Sequence, residues 1–118
     1  MLLLHLLQLR LRFLHLLHAL EGDAQGNDLD LEAKKLLEII AVRHEQRQPL
    51  TVTEAMALSH IASPATIHRK LDQLREVGLV EACFEDNNRR TKFLVPTQAA
   101  LNHFETLGQA LIRATKPV

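Results

Sequence analysis

This chain of 118 residues has no tryptophan, no tyrosine and one cysteine, Cys83. A single cysteine excludes an internal disulfide, and the absence of a disulfide framework suits a reducing cytoplasm. With only four phenylalanines (Phe13, Phe84, Phe93 and Phe104), the core must be built mostly from Leu, Ile, Val and Ala, which favours helices. Net charge is also absent, because 14 Lys and Arg balance 14 Asp and Glu. That excludes a strongly basic, sequence-blind coat for nucleic acid. The motifs of catalysis are missing as well: there is no Gly-rich phosphate loop, no nucleophile elbow and no paired-cysteine motif. No enzyme is read from this sequence, and no internal repeat stands out.

The leucine-rich start lacks the uninterrupted apolar run that a membrane span or signal peptide needs. Arg10 and Arg12 sit in its middle, where each would cost roughly 3 kcal/mol in hydrocarbon. A signal peptide places its charge before the apolar run instead. No membrane partner is expected. At helical spacing His5, Gln8, Arg12 and His15 fall on one stripe, and leucines cover most of the rest. Residues 2–21 therefore form a helix whose apolar face is wider than one small domain can cover. The surplus calls for a second copy of the chain in a symmetric homodimer. Leu3, Leu7, Leu14 and Leu17 of this helix, with Leu107 and Leu111 of the last helix, are the expected dimerisation residues.

Hydrophobic residues make up 47% of the chain, enough to bury the core of one compact domain over residues 1–118. Within it, residues 29–95 form one lobe, and residues 1–22 and 97–118 supply dimerisation helices. Glu21 to Asp28 reads as a loop. Asp28 or Asp30 caps a second helix whose apolar residues at helical spacing are Leu29, Leu36, Leu37 and Ile40, with Ala33 a further candidate. Pro49 marks a boundary, and Thr51 or Thr53 caps a short helix over Glu54–Leu58. His60-Ile61-Ala62 is a turn.

Ser63-Pro64 is a strong helix start, with a side-chain oxygen for the free backbone N–H groups and a proline suited to the first turn. Ile67, Leu71 and Leu74 share the inward face, and Gly78 stops the helix in the left-handed conformation. Leu79–Phe84 reads as a strand with Val80, Ala82 and Phe84 on one face. Glu85–Arg90 is a polar loop, Thr91–Val95 the returning strand, and Pro96-Thr97 the start of a last helix. These parts make a mainly α fold with a small β-hairpin wing: a winged helix-turn-helix with flanking dimerisation helices. Such an arrangement puts a helix in a DNA groove and a wing beside it.

In detail the chain resembles the MarR family of winged-helix transcriptional regulators. The matching residues are Leu50-Thr51-Val52-Thr53-Glu54-Ala55, the Ser63–Leu74 helix, Gly78-Leu79-Val80, and Asn88-Arg89-Arg90 followed by Phe93-Leu94-Val95-Pro96-Thr97. The resemblance implies a homodimer that binds palindromic double-stranded DNA, usually as a repressor released by a small-molecule effector. Two departures stand out. Asn88 occupies the place of the family's usual wing aspartate, and the chain stops at Val118 before the family's further dimerising helix. Dimerisation is then expected to rest on residues 2–21 and 97–114.

The expected DNA-binding residues are Ser63, Ala65, Thr66, His68, Arg69 and Gln73 on the helix, and Arg89, Arg90 and Lys92 on the wing. Arg69 can take a guanine with two hydrogen bonds and Gln73 an adenine, while Ala65 is short enough to let the helix approach. Arg89 and Arg90 at a hairpin tip suit a narrow minor groove, and Asp86 can steady either of them. By resemblance, Arg90 matches the family's wing arginine. From Ser63 to Lys92 six cations meet five acids, so the docking face is nearly neutral. That balance supports a competing reading, a winged helix used for protein–protein contacts.

His15 and His18 are three residues apart, and His44 and His103 lie on other helices, but no Cys or carboxylate stands beside them at a recognisable ligand spacing. They read as surface or interface histidines, and no metal or cofactor is expected. Cys83 alternates with Glu81 and Glu85, acids that raise a thiol's pKa, so it reads as a strand residue and not a redox sensor.

Overall fold

The structure is a computed structural model that describes residues 2–23, 29–85 and 87–115, with the backbone alone described at 16–23 and 88. Asp28 and Asp86 lie outside the described residues, as do the side chains of Leu17, His18 and Asn88. The order of elements is α1 (Leu2–Asp23), α2 (Leu31–Glu45), α3 (Val52–Met56), α4 (Pro64–Glu76), β1 (Val80–Glu85), β2 (Asn88–Pro96) and α5 (Gln98–Thr115). The chain divides into two compact units: Leu29–Leu101, and Met1–Asp28 with Asn102–Val118.

The 29–101 unit holds a core of the expected aliphatic kind. Ala33, Leu36, Leu37 and Ile40 of α2, Ala55 of α3, and Ile67, Leu71 and Leu74 of α4 are buried with Leu79, Val80 and Leu94. Each of its first three helices starts on a side-chain cap. Asp30 accepts from the Ala33 amide at 2.9 Å. Thr51 and Glu54 form a reciprocal capping box, with bonds of 3.1 and 3.0 Å. Ser63 accepts from the Thr66 amide at 3.4 Å, and Pro64 follows in the first turn.

Two helices end alike. After α4 the Leu79 amide bonds the Leu74 carbonyl at 2.9 Å and the Gly78 amide bonds that of Arg75 at 3.1 Å. This is a Schellman motif, and the burial of both Leu74 and Leu79 supplies its apolar contact. After α2 the Gln48 amide bonds Arg43 and the Arg47 amide bonds His44 in the same pattern. Gly78 takes φ 76° and Arg47 takes φ 61°. A side chain at 78 meets open space, so its cost is backbone strain alone. Gly78→Ala is expected to lower the unfolding free energy by about 1 kcal/mol. Arg47→Gly should shift the urea midpoint the opposite way or leave it unchanged.

β1 and β2 form an antiparallel hairpin with Val80 opposite Pro96, Ala82 opposite Leu94 and Phe84 opposite Lys92. A short third piece joins it: the Leu94 amide donates to the Leu50 carbonyl at 2.7 Å, and Thr51 bridges Phe93. The sequence reading has only the boundary at Pro49 here. The hairpin departs from expectation in its register. Glu85 pairs with Asn88 and the next pair is Phe84 with Lys92. Arg89, Arg90 and Thr91 therefore lie in a bulge of β2, not in the loop assigned to Glu85–Arg90.

In the other unit, Leu2, Leu3, Leu4, Leu6, Leu7 and Leu11 of α1 are each more than half exposed. Leu14 and Leu107 are half-buried, and Leu111 and Ile112 of α5 are exposed. Arg12 donates to the carbonyl of Arg113 at 3.3 Å. Among the described residues no helix is long and apolar enough to cross a membrane.

Candidate nucleic-acid interface

The burial of Ile67, Leu71 and Leu74 fixes the rotation of α4 and turns the opposite face out. Ser63, Ala65, His68, Arg69 and Gln73 are exposed and Thr66 is half-buried. Five of the six expected helix residues thus gather at the N-terminal half of one helix, and Gln73 follows in its third turn. Two of them are already engaged in the cap, since the Ser63 hydroxyl also donates to the Thr66 hydroxyl at 3.0 Å. Their contribution to an anionic ligand comes through the helix N-terminus they organise. His68 Nδ1 lies 3.4 Å from Asp72 Oδ2, with both side chains more than half exposed. This i,i+4 contact aims the imidazole along the helix toward the C-terminal turns.

On the hairpin, Arg89, Arg90 and Lys92 are exposed. The Lys92 ammonium sits 5.4 Å from the centre of the Phe84 ring. Sequence alternation sends Phe84 inward with Val80 and Ala82, yet the ring is 48% exposed while Val80 is buried. The reason is positional: Phe84 is the last residue before the register shift, where β1 has run past the core. The ring serves as a platform for its cross-strand lysine.

Lys70 is the residue that sequence reasoning misplaced. Counted among the docking cations, it is only 8% exposed. Its ammonium is hydrogen-bonded to the Asp30 carboxylate, which also caps α2. The signal was present in the spacing, because position 70 lies on the same stripe as Ile67, Leu71 and Leu74. That bond, with the Ala33 amide and the Arg69 charge, holds the Asp30 pKa below its ordinary 3.8. The Thr51 amide and hydroxyl lower that of Glu54 from 4.5. A carboxylate with a depressed folded-state pKa stabilises the fold above its unfolded pKa, and loses that contribution as pH falls through the folded value. Stability is therefore expected to be flat near neutrality and to decline below pH 4.5. Urea melts between pH 6 and pH 3 should show this, with a shallower decline in Asp30→Asn.

Cys83 is half-buried. Burial, then the charge and hydrogen bond of Glu81, raises its thiol above the ordinary 9.0. Glu81 is the acid that sequence reading placed beside it. Among the described residues no three His, Cys, Asp or Glu side chains converge as a metal site would require.

The comparisons with known proteins locate this architecture. No family model matches the sequence, and no curated protein is similar to it in sequence. Solved structures do match. The transcriptional regulator Tm0710 from Thermotoga maritima superposes with a TM-score of 0.60 at 14% identity, over 89% of this chain and 66% of that one. The MarR protein from Peptoclostridium difficile gives 0.51 at 17% identity, over 85% and 65%. The fold is the MarR-type winged helix. RV1404 from Mycobacterium tuberculosis gives 0.58 at 15% identity, over 84% of this chain and 66% of that one. The chain spans about two thirds of the length of each of these three proteins. Within this fold α3 and α4 make the helix-turn-helix, and β1 and β2 the wing.

Proposed function

We propose that this protein is a sequence-specific DNA-binding transcriptional regulator that acts in the cytoplasm as a homodimer on a palindromic operator. The single observation that supports it most is the outward face of α4. A helix capped by Ser63, stopped at Gly78 and rotated by three buried aliphatics presents Ala65, His68 and Arg69 together in its first turns, with Gln73 one turn further along. Those are the turns that meet base edges when a recognition helix enters the major groove. Arg69 and Gln73 supply bidentate donors and acceptors for guanine and adenine. Arg89, Arg90 and Lys92 flank the helix from the wing and contact phosphates or the minor groove. Tm0710 is itself described as a transcriptional regulator, which supports the same class of activity here.

One such face reads half a site, so the activity requires a second copy of the chain. The exposed leucines of α1, with Leu107 and Leu111, are the surface we assign to it. Leu17 belongs to the same assignment by helical spacing. In the dimer the two α4 helices should lie about 34 Å apart, one turn of DNA. A small-molecule effector that releases the DNA completes the reading as a ligand-responsive repressor, with no catalytic step.

One observation favours a second reading. With Lys70 turned inward against Asp30, the remaining formal charges of the sequence between Ser63 and Lys92 sum to zero, which suits a protein–protein interaction module. The two readings separate on a salt titration. A specific DNA binder loses affinity steeply with salt and keeps a sequence preference, whereas an interaction module does neither.

A further inference from the structure

The DNA-reading helix is fastened at two points to segments near the two places where the chain joins the 29–101 unit. At its midpoint Lys70 is buried and bonded to Asp30, the second residue of that unit. Just beyond its C-terminus the Thr97 hydroxyl donates to the Gly78 carbonyl at 2.6 Å, and the Thr97 amide donates to the Leu79 carbonyl at 3.0 Å. Thr97 directly precedes α5, and its hydroxyl also accepts from the Ala100 amide at 3.3 Å. Both fastenings use a residue that caps the next helix in the chain. Asp30 caps α2, which follows the α1 segment, and Thr97 caps α5, which runs on into the other unit.

We infer that Asp30 and Thr97 are positioning residues that set the placement of α4 for sequence reading, and do more than stabilise the fold. The inference rests on the reading of α4 as the DNA-recognition helix. Its physical basis is the kind of bond used at each point. The Lys70–Asp30 bond is charge-assisted, and Lys70 has little access to water as an alternative partner. Gly78 is the residue that closes the C-terminal stop of α4, so the Thr97 hydroxyl acts on the turn that ends the helix. The buried aliphatics set which face of α4 turns outward. The two polar bonds, one at mid-helix and one just past the C-terminus, set its position along its own axis. Neither residue is part of the DNA-contacting set, so their effect on binding passes through the helix.

The test uses three variants of the full chain and a duplex enriched by the wild-type protein from a random-sequence library. Asp30→Asn keeps a capping side chain but removes the charge from Lys70. Thr97→Val removes the hydroxyl with little change of shape, and Thr97→Ser restores it. Specific and non-specific DNA affinities are measured at a temperature where circular dichroism shows every variant fully folded. Positioning predicts that Asp30→Asn and Thr97→Val each lower affinity for the enriched duplex by about five- to tenfold. Affinity for random duplex and the salt slope stay at the wild-type value, and Thr97→Ser binds like wild type. A merely structural role predicts lower melting temperatures with an unchanged ratio of specific to non-specific affinity, and that result overturns the proposal. If the wild-type protein enriches no sequence at all, the DNA reading itself fails and the proposal fails with it.

Discussion

The double substitution Leu7→Asp and Leu11→Asp is expected to convert the protein to a monomer and weaken binding to a two-half-site duplex by about 100- to 10,000-fold. Leu7 and Leu11 are 52% and 55% exposed and stand one turn apart on the apolar side of α1. Their neighbours Leu3 and Leu4 are exposed as well, while His5, Gln8, Arg12 and His15 fall on a separate stripe and Arg10 lies on the leucine side. So wide an apolar surface on an exposed helix is stabilised by a partner of the same kind. Two aspartates placed across a twofold interface face two more from the other copy, and burying the four charges costs several kcal/mol. The 29–101 unit has its own core and should stay folded, so affinity for a single half-site should hardly change. Sedimentation and a half-site against full-site comparison read both effects. A variant that remains dimeric would move the interface away from α1.

Arg69→Ala is expected to lower affinity for the preferred sequence by about 5- to 150-fold, the equivalent of 1–3 kcal/mol. Arg69 is exposed in the second turn of α4, directly beside Lys70, which is held inward. That neighbour supplies the internal contrast: two adjacent cations, of which only one faces outward. Arg69→Lys should recover little, because an ammonium cannot form the two parallel bonds a guanidinium makes to guanine. Affinity for random duplex should fall only slightly. The same substitution on the wing, Arg90→Ala, should act mainly through phosphate or minor-groove charge, reducing the salt slope with a smaller loss of sequence preference. Equal loss on all sequences in Arg69→Ala would make this arginine a phosphate contact.

What the sequence made legible follows from how local each signal is. Caps, stops and helical stripes depend on residues within one turn of each other. Ser63-Pro64, Gly78 and the Ile67, Leu71, Leu74 stripe therefore stand in the structure as read. The choice between Asp28 and Asp30 as the cap of α2, and between Thr51 and Thr53 for α3, goes to Asp30 and Thr51. Thr51 has Glu54 three residues on to close the capping box, which Thr53 lacks.

What escaped depends on distant partners. Leu50-Thr51 looks like a helix lead-in, and only its pairing with Phe93-Leu94, more than 40 residues away, bridges it to the hairpin. Lys70 looks like a docking cation until Asp30 is placed beside it, 40 residues earlier in the chain. The hairpin register is a third case. Alternation places Phe84 on the face of Val80 and Ala82 and Arg89-Arg90 at a tip, but β1 has run past the core at Phe84, which leaves the ring exposed, and the register shift after it takes both arginines into the strand. No two-residue period encodes where a bulge falls. Of the candidate site, the sequence pattern foretold the outward placement of the helix and wing residues, all exposed but Thr66. The fastening of α4 by Asp30 and Thr97 was not foretold, since both residues read as ordinary caps.

The central claim is that α4 and the wing read DNA, and one measurement tests it most directly. The affinity of the wild-type protein for the duplex it enriches, and for a scrambled duplex of equal length, is followed from 50 to 200 mM salt. The account predicts that both affinities fall linearly on a log–log plot. It also predicts that the enriched duplex stays about a thousandfold or more tighter throughout. Weak binding to both duplexes, with no preference between them and a flat response to salt, would contradict it.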